Sequence, residues 1–100
     1  MSVTSQLSKD GKEFTVAVSG RFDFRVYESF RDSYARVKPA GIRFMVDLQK
    51  ANYMDSSALG MLLLLKEHVG DNGSIEIINT ATDVRNVLTI ANFDKLFKIS

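Results

Sequence analysis

One hundred residues, 45% of them apolar and 25% charged, suffice for one domain with a modest core. Thirteen Lys and Arg nearly cancel twelve Asp and Glu, so bulk charge draws the chain to neither nucleic acid nor anionic lipid. The absence of cysteine excludes disulfides and thiolate metal sites, and the longest apolar run, 58–65, falls far short of the about 20 residues that span a membrane.

In chain order, residues 3–7 and 14–18 alternate on either side of KDGK, an Asp-Gly turn signal, and predict an antiparallel hairpin closed by Gly20. From Asp23 the period lengthens. Val26, Phe30, Tyr34 and Val37 fall at i, i+4, i+8 and i+11, the stripe of an amphipathic helix that Asp23 is placed to cap and KPAG to stop. IRFMVDL alternates again and predicts a third strand, central in the sheet because even its second face carries Met45. QKANYMD reads as a loop, and a helix follows from Ser56 to Gly70. After the turn DNGS, IEIIN predicts a fourth strand. Thr80 or Thr82 then opens a helix with Val84, Val87, Leu88 and Ala91 inward, and LFKIS adds a short last strand. The order β-β-α-β-α-β-α-β predicts an α/β domain, a mixed sheet of about five strands packed against helices.

The stretch NYMDSSALGMLLLLKEHVG, residues 52–70, carries the chemistry worth weighing. Asp55, Ser56 and Ser57 stand where a helix needs side-chain oxygens to accept its unpaired first amides, so at least one of them is a cap. Ala58, Leu62, Leu65 and Val69, joined by Leu59, form the buried stripe. The surplus apolar residues either pack beneath a neighbouring helix or, with Met54 and Met61, form a semi-exposed patch around Ser56 suited to docking.

A nucleophilic serine is excluded by geometry. The one histidine, His68, lies twelve residues further along the same helix, about 18 Å away. It is expected at the surface, near the helix C-terminus. With no second histidine, no Asp-x-Asp calcium loop, no Gly-x-Ser-x-Gly elbow and no phosphate-binding loop, the expectation is no enzyme, no catalytic residue, no metal and no cofactor. What remains is modification of a serine. A hydroxyl at a helix mouth is accessible, and the local amides and dipole tolerate a phosphate there without unfolding the chain.

YMDSSALGMLL resembles the signature of the STAS domain, in particular that of the bacterial anti-sigma factor antagonists, which carry a Met-Asp-Ser-Ser-Gly-Leu-Gly type motif at the start of their second helix. VSGRFDF resembles the family's Gly-x-x-Asp segment, IRFMVDLQKANYMDSS its third strand and loop, and TATDVRNVLTIANFDKLFKI its third helix and closing strand. The resemblance implies that residues 1–100 form a single STAS domain acting as a phosphorylation-controlled partner switch. The partners implied are an anti-sigma factor, itself a serine kinase in many cases, and a serine phosphatase of the PP2C type. The unphosphorylated form would bind the anti-sigma factor and free a sigma factor. Ser56 matches the phosphorylated serine and Asp23 the loop acid near it. The implied docking set is Asp23, Met54, Asp55, Ser56, Ser57, Ala58 and Met61. Ala58 stands where the family usually has Gly, which would place a methyl near the docking surface. Many relatives continue past this point with a fourth helix, which leaves a sheet face open to either a homodimer or a partner contact. The polar stretch MSVTSQLSKDGKEF, without the apolar centre of a secretory signal, makes the expected location cytoplasmic, with no membrane and no direct nucleic-acid partner. A second reading is an STAS domain serving as a structural or accessory subunit of a lipid-transport or stress-sensing complex, without reversible phosphorylation.

Overall fold

The computed structural model describes residues 2–100, so of the expected single domain only Met1 lies outside the described residues. Strand β1 (Val3–Leu7) pairs antiparallel with β2 (Glu13–Val18), Val3 opposite Val18 and Leu7 opposite Phe14, as the Asp-Gly turn predicts. A three-residue strand β3 (Gly20–Phe22) follows at once, then a 3-10 turn over Phe24–Val26 and helix α1 (Tyr27–Tyr34). Strands β4 (Arg43–Asp47) and β5 (Ala51–Met54) lead into helix α2 (Ser56–Val69). Strand β6 (Ser74–Ile78), helix α3 (Thr82–Ile90) and the short β7 (Lys98–Ile99) complete the chain.

The main sheet has the order β1-β2-β4-β6-β7 and is mixed: β2, β4, β6 and β7 are parallel, and β1 runs against them. Each parallel connection advances in the same direction across the sheet. Right-handed crossovers therefore put all three helices on one face. Burial agrees. Phe14, Val16, Val18, Phe44, Val46 and Ile77 are buried on the helix side, whereas Thr15, Ala17, Met45, Asp47, Glu76 and Ile78 on the other side are only half-buried. Among the described residues no helix covers that second face.

Between β2 and β3, and again between β4 and β5, the chain leaves the main sheet and forms a second, two-stranded parallel sheet. Sequence alternation reads these segments as the end of a strand and a loop. The structure corrects that reading: Gly20 bends the chain with φ +76°, its amide donates to the Lys50 carbonyl at 2.9 Å, and Phe22 then pairs with Met54. Three apolar anchors, Phe22 on one short strand and Ala51 with Met54 on the other, hold the pair against the core.

Two further expectations change. The first turn of α3 has no side-chain cap; the Thr80 hydroxyl donates instead to the Ser100 carbonyl at 3.0 Å, tying the helix entry to the end of the chain. His68 is not a free surface residue but half-buried. Its Nε2–H donates to the Val37 carbonyl at 2.8 Å and its ring lies 5.1 Å from that of Tyr34, so it joins the end of α2 to the segment after α1.

Candidate functional site

The site lies past the carboxyl ends of β3 and β5. Because Phe22 pairs with Met54, the next residues, Asp23 and Asp55, occupy matching positions at the ends of two neighbouring parallel strands. Each has extended backbone and each turns its carboxylate onto the helical turn that follows. Asp23 Oδ1 accepts from the Arg25 amide at 2.9 Å, and Asp55 Oδ1 from the Ser57 amide at 3.0 Å. Of the three candidate caps in DSS, Asp55 is therefore the one used. Asp23 is the more enclosed of the pair, and its second oxygen takes the Arg21 guanidinium, Nε to Oδ2 3.2 Å.

The two capped turns are cross-linked. Arg21, paired across the small sheet with Tyr53, lays its guanidinium over the Tyr53 ring, 3.8 Å from the centroid. The Tyr53 hydroxyl in turn lies 3.4 Å from Asp55 Oδ2. Ser57 is half-buried and its hydroxyl donates to Asp55 Oδ1 at 2.6 Å. That hydroxyl is the chief reason the Asp55 carboxyl is held below its ordinary value of 3.8, the amides of Ser57 and Ala58 and the Tyr53 hydroxyl adding to it against a partial opposing effect of burial. Ser56 is left exposed.

The structure sets Asp23 and Asp55 side by side at the ends of β3 and β5, with Ser56 and Ser57 following Asp55. It separates Met54, Ala58 and Met61 from them. All three side chains are buried, so the semi-exposed methionine patch expected around Ser56 does not form, and the Ala58 methyl points into the core rather than toward a docking surface. The reason is the small sheet. By anchoring Met54 it turns the Ala58–Met61–Leu65 side of α2 inward and leaves the line Ser56, Gly60, Leu63 outward. The large apolar groups displayed on this part of the surface are Leu63 (43% exposed) and Leu64 (44%), about two turns along α2 from Ser56, and, on the turn after Asp23, Phe24 (73%), which stacks on Tyr27. Sequence reasoning passed over Phe24, Arg21 and Tyr53. Phe24 had a usable signal, since it falls off the Val26-Phe30-Tyr34 stripe; Arg21 and Tyr53 acquire meaning only through a strand pairing that their local pattern does not announce.

Among the described residues no cluster of His, Cys, Asp or Glu is arranged to hold a metal ion, and no helix is long and apolar enough to cross a membrane.

The family described as "Mlab, STAS domain" matches residues 5–98. A STAS-domain-containing protein of Pseudomonas aeruginosa is 50% identical over 101 residues, the match covering 100% of both chains. Among solved structures, the unphosphorylated anti-sigma factor antagonist SpoIIAA superposes with a TM-score of 0.80 at 15% identity, over 98% of this chain and 87% of that one. A Bacillus SpoIIAA in its phosphorylated form gives 0.73 at 14% identity, over 98% of this chain and 90% of that one. An anti-sigma-factor antagonist STAS domain from Rhodobacter sphaeroides is 26% identical over 77% of this chain and 84% of that one, with a TM-score of 0.60. STAS domains of this kind are regulatory modules and not catalysts. With one α/β unit, a mixed sheet and the helix-mouth serine pair in place, the chain belongs to the STAS-domain family and shares its fold with solved bacterial anti-sigma factor antagonists.

Proposed function

We propose that the protein is a phosphorylation-controlled partner switch that acts through Ser56. In the unphosphorylated state it binds an anti-sigma factor, a serine kinase in the simplest arrangement, and thereby frees a sigma factor. The kinase moves the terminal phosphoryl group of a nucleoside triphosphate onto Ser56 Oγ: the new O–P bond forms as the bond to the departing nucleoside diphosphate breaks, and the hydroxyl proton leaves to a base of the kinase. A PP2C-type phosphatase adds water and returns serine and inorganic phosphate.

One observation carries this reading. Of two adjacent serines at a helix mouth, Ser57 is committed to Asp55 while Ser56 stands exposed, at the start of the outward line of α2 that continues through Gly60 to Leu63. A partner seated there covers Ser56. Phosphorylation places about 1.5 to 2 negative charges on that spot, next to two carboxylates. Burying them without a cation from the partner costs several kcal/mol. That the SpoIIAA fold is shared by an unphosphorylated and a phosphorylated form supports a change in docking rather than in architecture.

The test is titration calorimetry against the partner captured with wild type. Ser56→Ala should bind as wild type does. Ser56→Glu, or phosphoserine at 56, should bind at least about 100-fold more weakly, roughly 2.7 kcal/mol. Unchanged affinity on introducing the charge would instead fit an accessory subunit that does not switch.

A further inference from the structure

The phosphate proposed above would arrive beside Asp23 and Asp55, and the contacts of the site include one cation, Arg21. Its placement is unusual for a side chain that is half exposed. The ion pair with Asp23 is made by Nε, which leaves the two terminal amino groups for another acceptor. The guanidinium plane rests on the Tyr53 ring, and Tyr53 reaches Asp55, the residue before Ser56. Strands of one sheet lie about 4.8 Å apart, so Arg21 on β3 and the end of β5 are within one side-chain length of each other. Asp23 and Tyr53 thus hold a fork of donors ready at the mouth of α2 before any phosphate is present.

We propose that Arg21 is an intramolecular phosphate clamp: its terminal amino groups take the phosphate of modified Ser56 while Nε stays on Asp23. Arginine suits the task, because its planar fork matches two phosphate oxygens at once and loses little freedom when already stacked. The clamp explains how a dianion is tolerated between two carboxylates without opening the fold. It also draws the phosphate toward the small sheet, tying the modified Ser56 turn to the turn that carries Phe24, so that both sides of the docking face register the modification. The inference rests on Ser56 being the modified residue, and its test is independent of any kinase.

Phosphoserine is installed at position 56 during synthesis, and the second ionisation of the phosphate is followed by phosphorus-31 NMR in the wild-type background, in Arg21→Gln and in Arg21→Lys. A clamped phosphate releases its proton more readily. Arg21→Gln should therefore raise the midpoint by about 0.5 pH unit, a value discounted for solvent exposure. Arg21→Lys, which keeps a cation for Asp23 but not the fork, should raise it by less. It also serves as the folded control should the glutamine variant be unstable. A midpoint that neither substitution moves overturns the clamp. Failure of the switch itself has a different signature, namely phosphoserine at 56 that leaves partner affinity unaltered.

Discussion

At the scale of single residues, two serines one position apart have been given different work by one carboxylate. Asp55 caps the helix through the Ser57 amide and also takes the Ser57 hydroxyl, so Ser57→Ala should leave phosphate incorporation in place while Ser56→Ala abolishes it; intact-mass measurement after incubation with the kinase reads both. The same bonds fix a pH dependence. The folded Asp55 carboxyl titrates below its ordinary 3.8, so its contribution to stability is complete above about pH 4 and is lost as the pH falls through the lower folded value. Asp55→Asn keeps an effective cap but cannot titrate. Its acid unfolding curve, followed by circular dichroism, should lack the part of the wild-type acid limb that belongs to this group. The cap was legible in the sequence as a choice among three adjacent residues. The choice itself was not, because it depends on the extended backbone at Asp55, which the small sheet imposes.

Elements show where sequence reading succeeds and where it stops. Helix α2 buries Ala58, Leu62, Leu65 and Val69, the stripe its spacing predicts. Spacing alone leaves its surplus apolar residues open to two readings, core packing or a docking patch; burial of Met54 and Met61 decides for the core. Strands β3 and β5 are three and four residues long, too short for alternation to register, and only their pairing makes them strands. Two glycines test the elements directly. Gly60 lies on the exposed line of α2 with no atom within 4 Å of an added methyl, so Gly60→Ala should stabilise the domain by roughly 0.5–1 kcal/mol in denaturant titrations. If the Ser56–Gly60–Leu63 line is the docking face, the same methyl should weaken partner binding while stability rises. Gly73, before β6, is the opposite case. An added methyl would meet the Ile42 and Pro39 carbonyl oxygens at 2.6 and 2.7 Å, both backbone atoms, and Gly73→Ala should destabilise by about 1–3 kcal/mol.

For the molecule as a whole, the hairpin, the mixed sheet and the central place of the IRFMVDL strand were legible in the sequence, because a hairpin followed by right-handed crossovers leaves few arrangements open; the strand order β1-β2-β4-β6-β7 is a finding of the structure. The folded chain has a radius of gyration of 12.3 Å and places its helices on one side of a five-stranded sheet, so a single layer of contact between helices and sheet carries most of the stability. Leu62, fully buried in that layer, is a sensitive probe: Leu62→Ala should remove about 3 kcal/mol, a large part of what a domain of this size possesses, and lower the thermal midpoint accordingly. Phe24→Ala, at the surface, should leave that midpoint unmoved and reduce partner affinity.

The helix-free side of the sheet has a practical consequence. Thr15 and Glu76 point away from the helices, so a dye or a surface anchor attached at either position leaves the mouth of α2 unobstructed. Molecules fixed in that orientation would let arrival and departure of a companion protein be watched one event at a time, before and after a phosphoryl group is added.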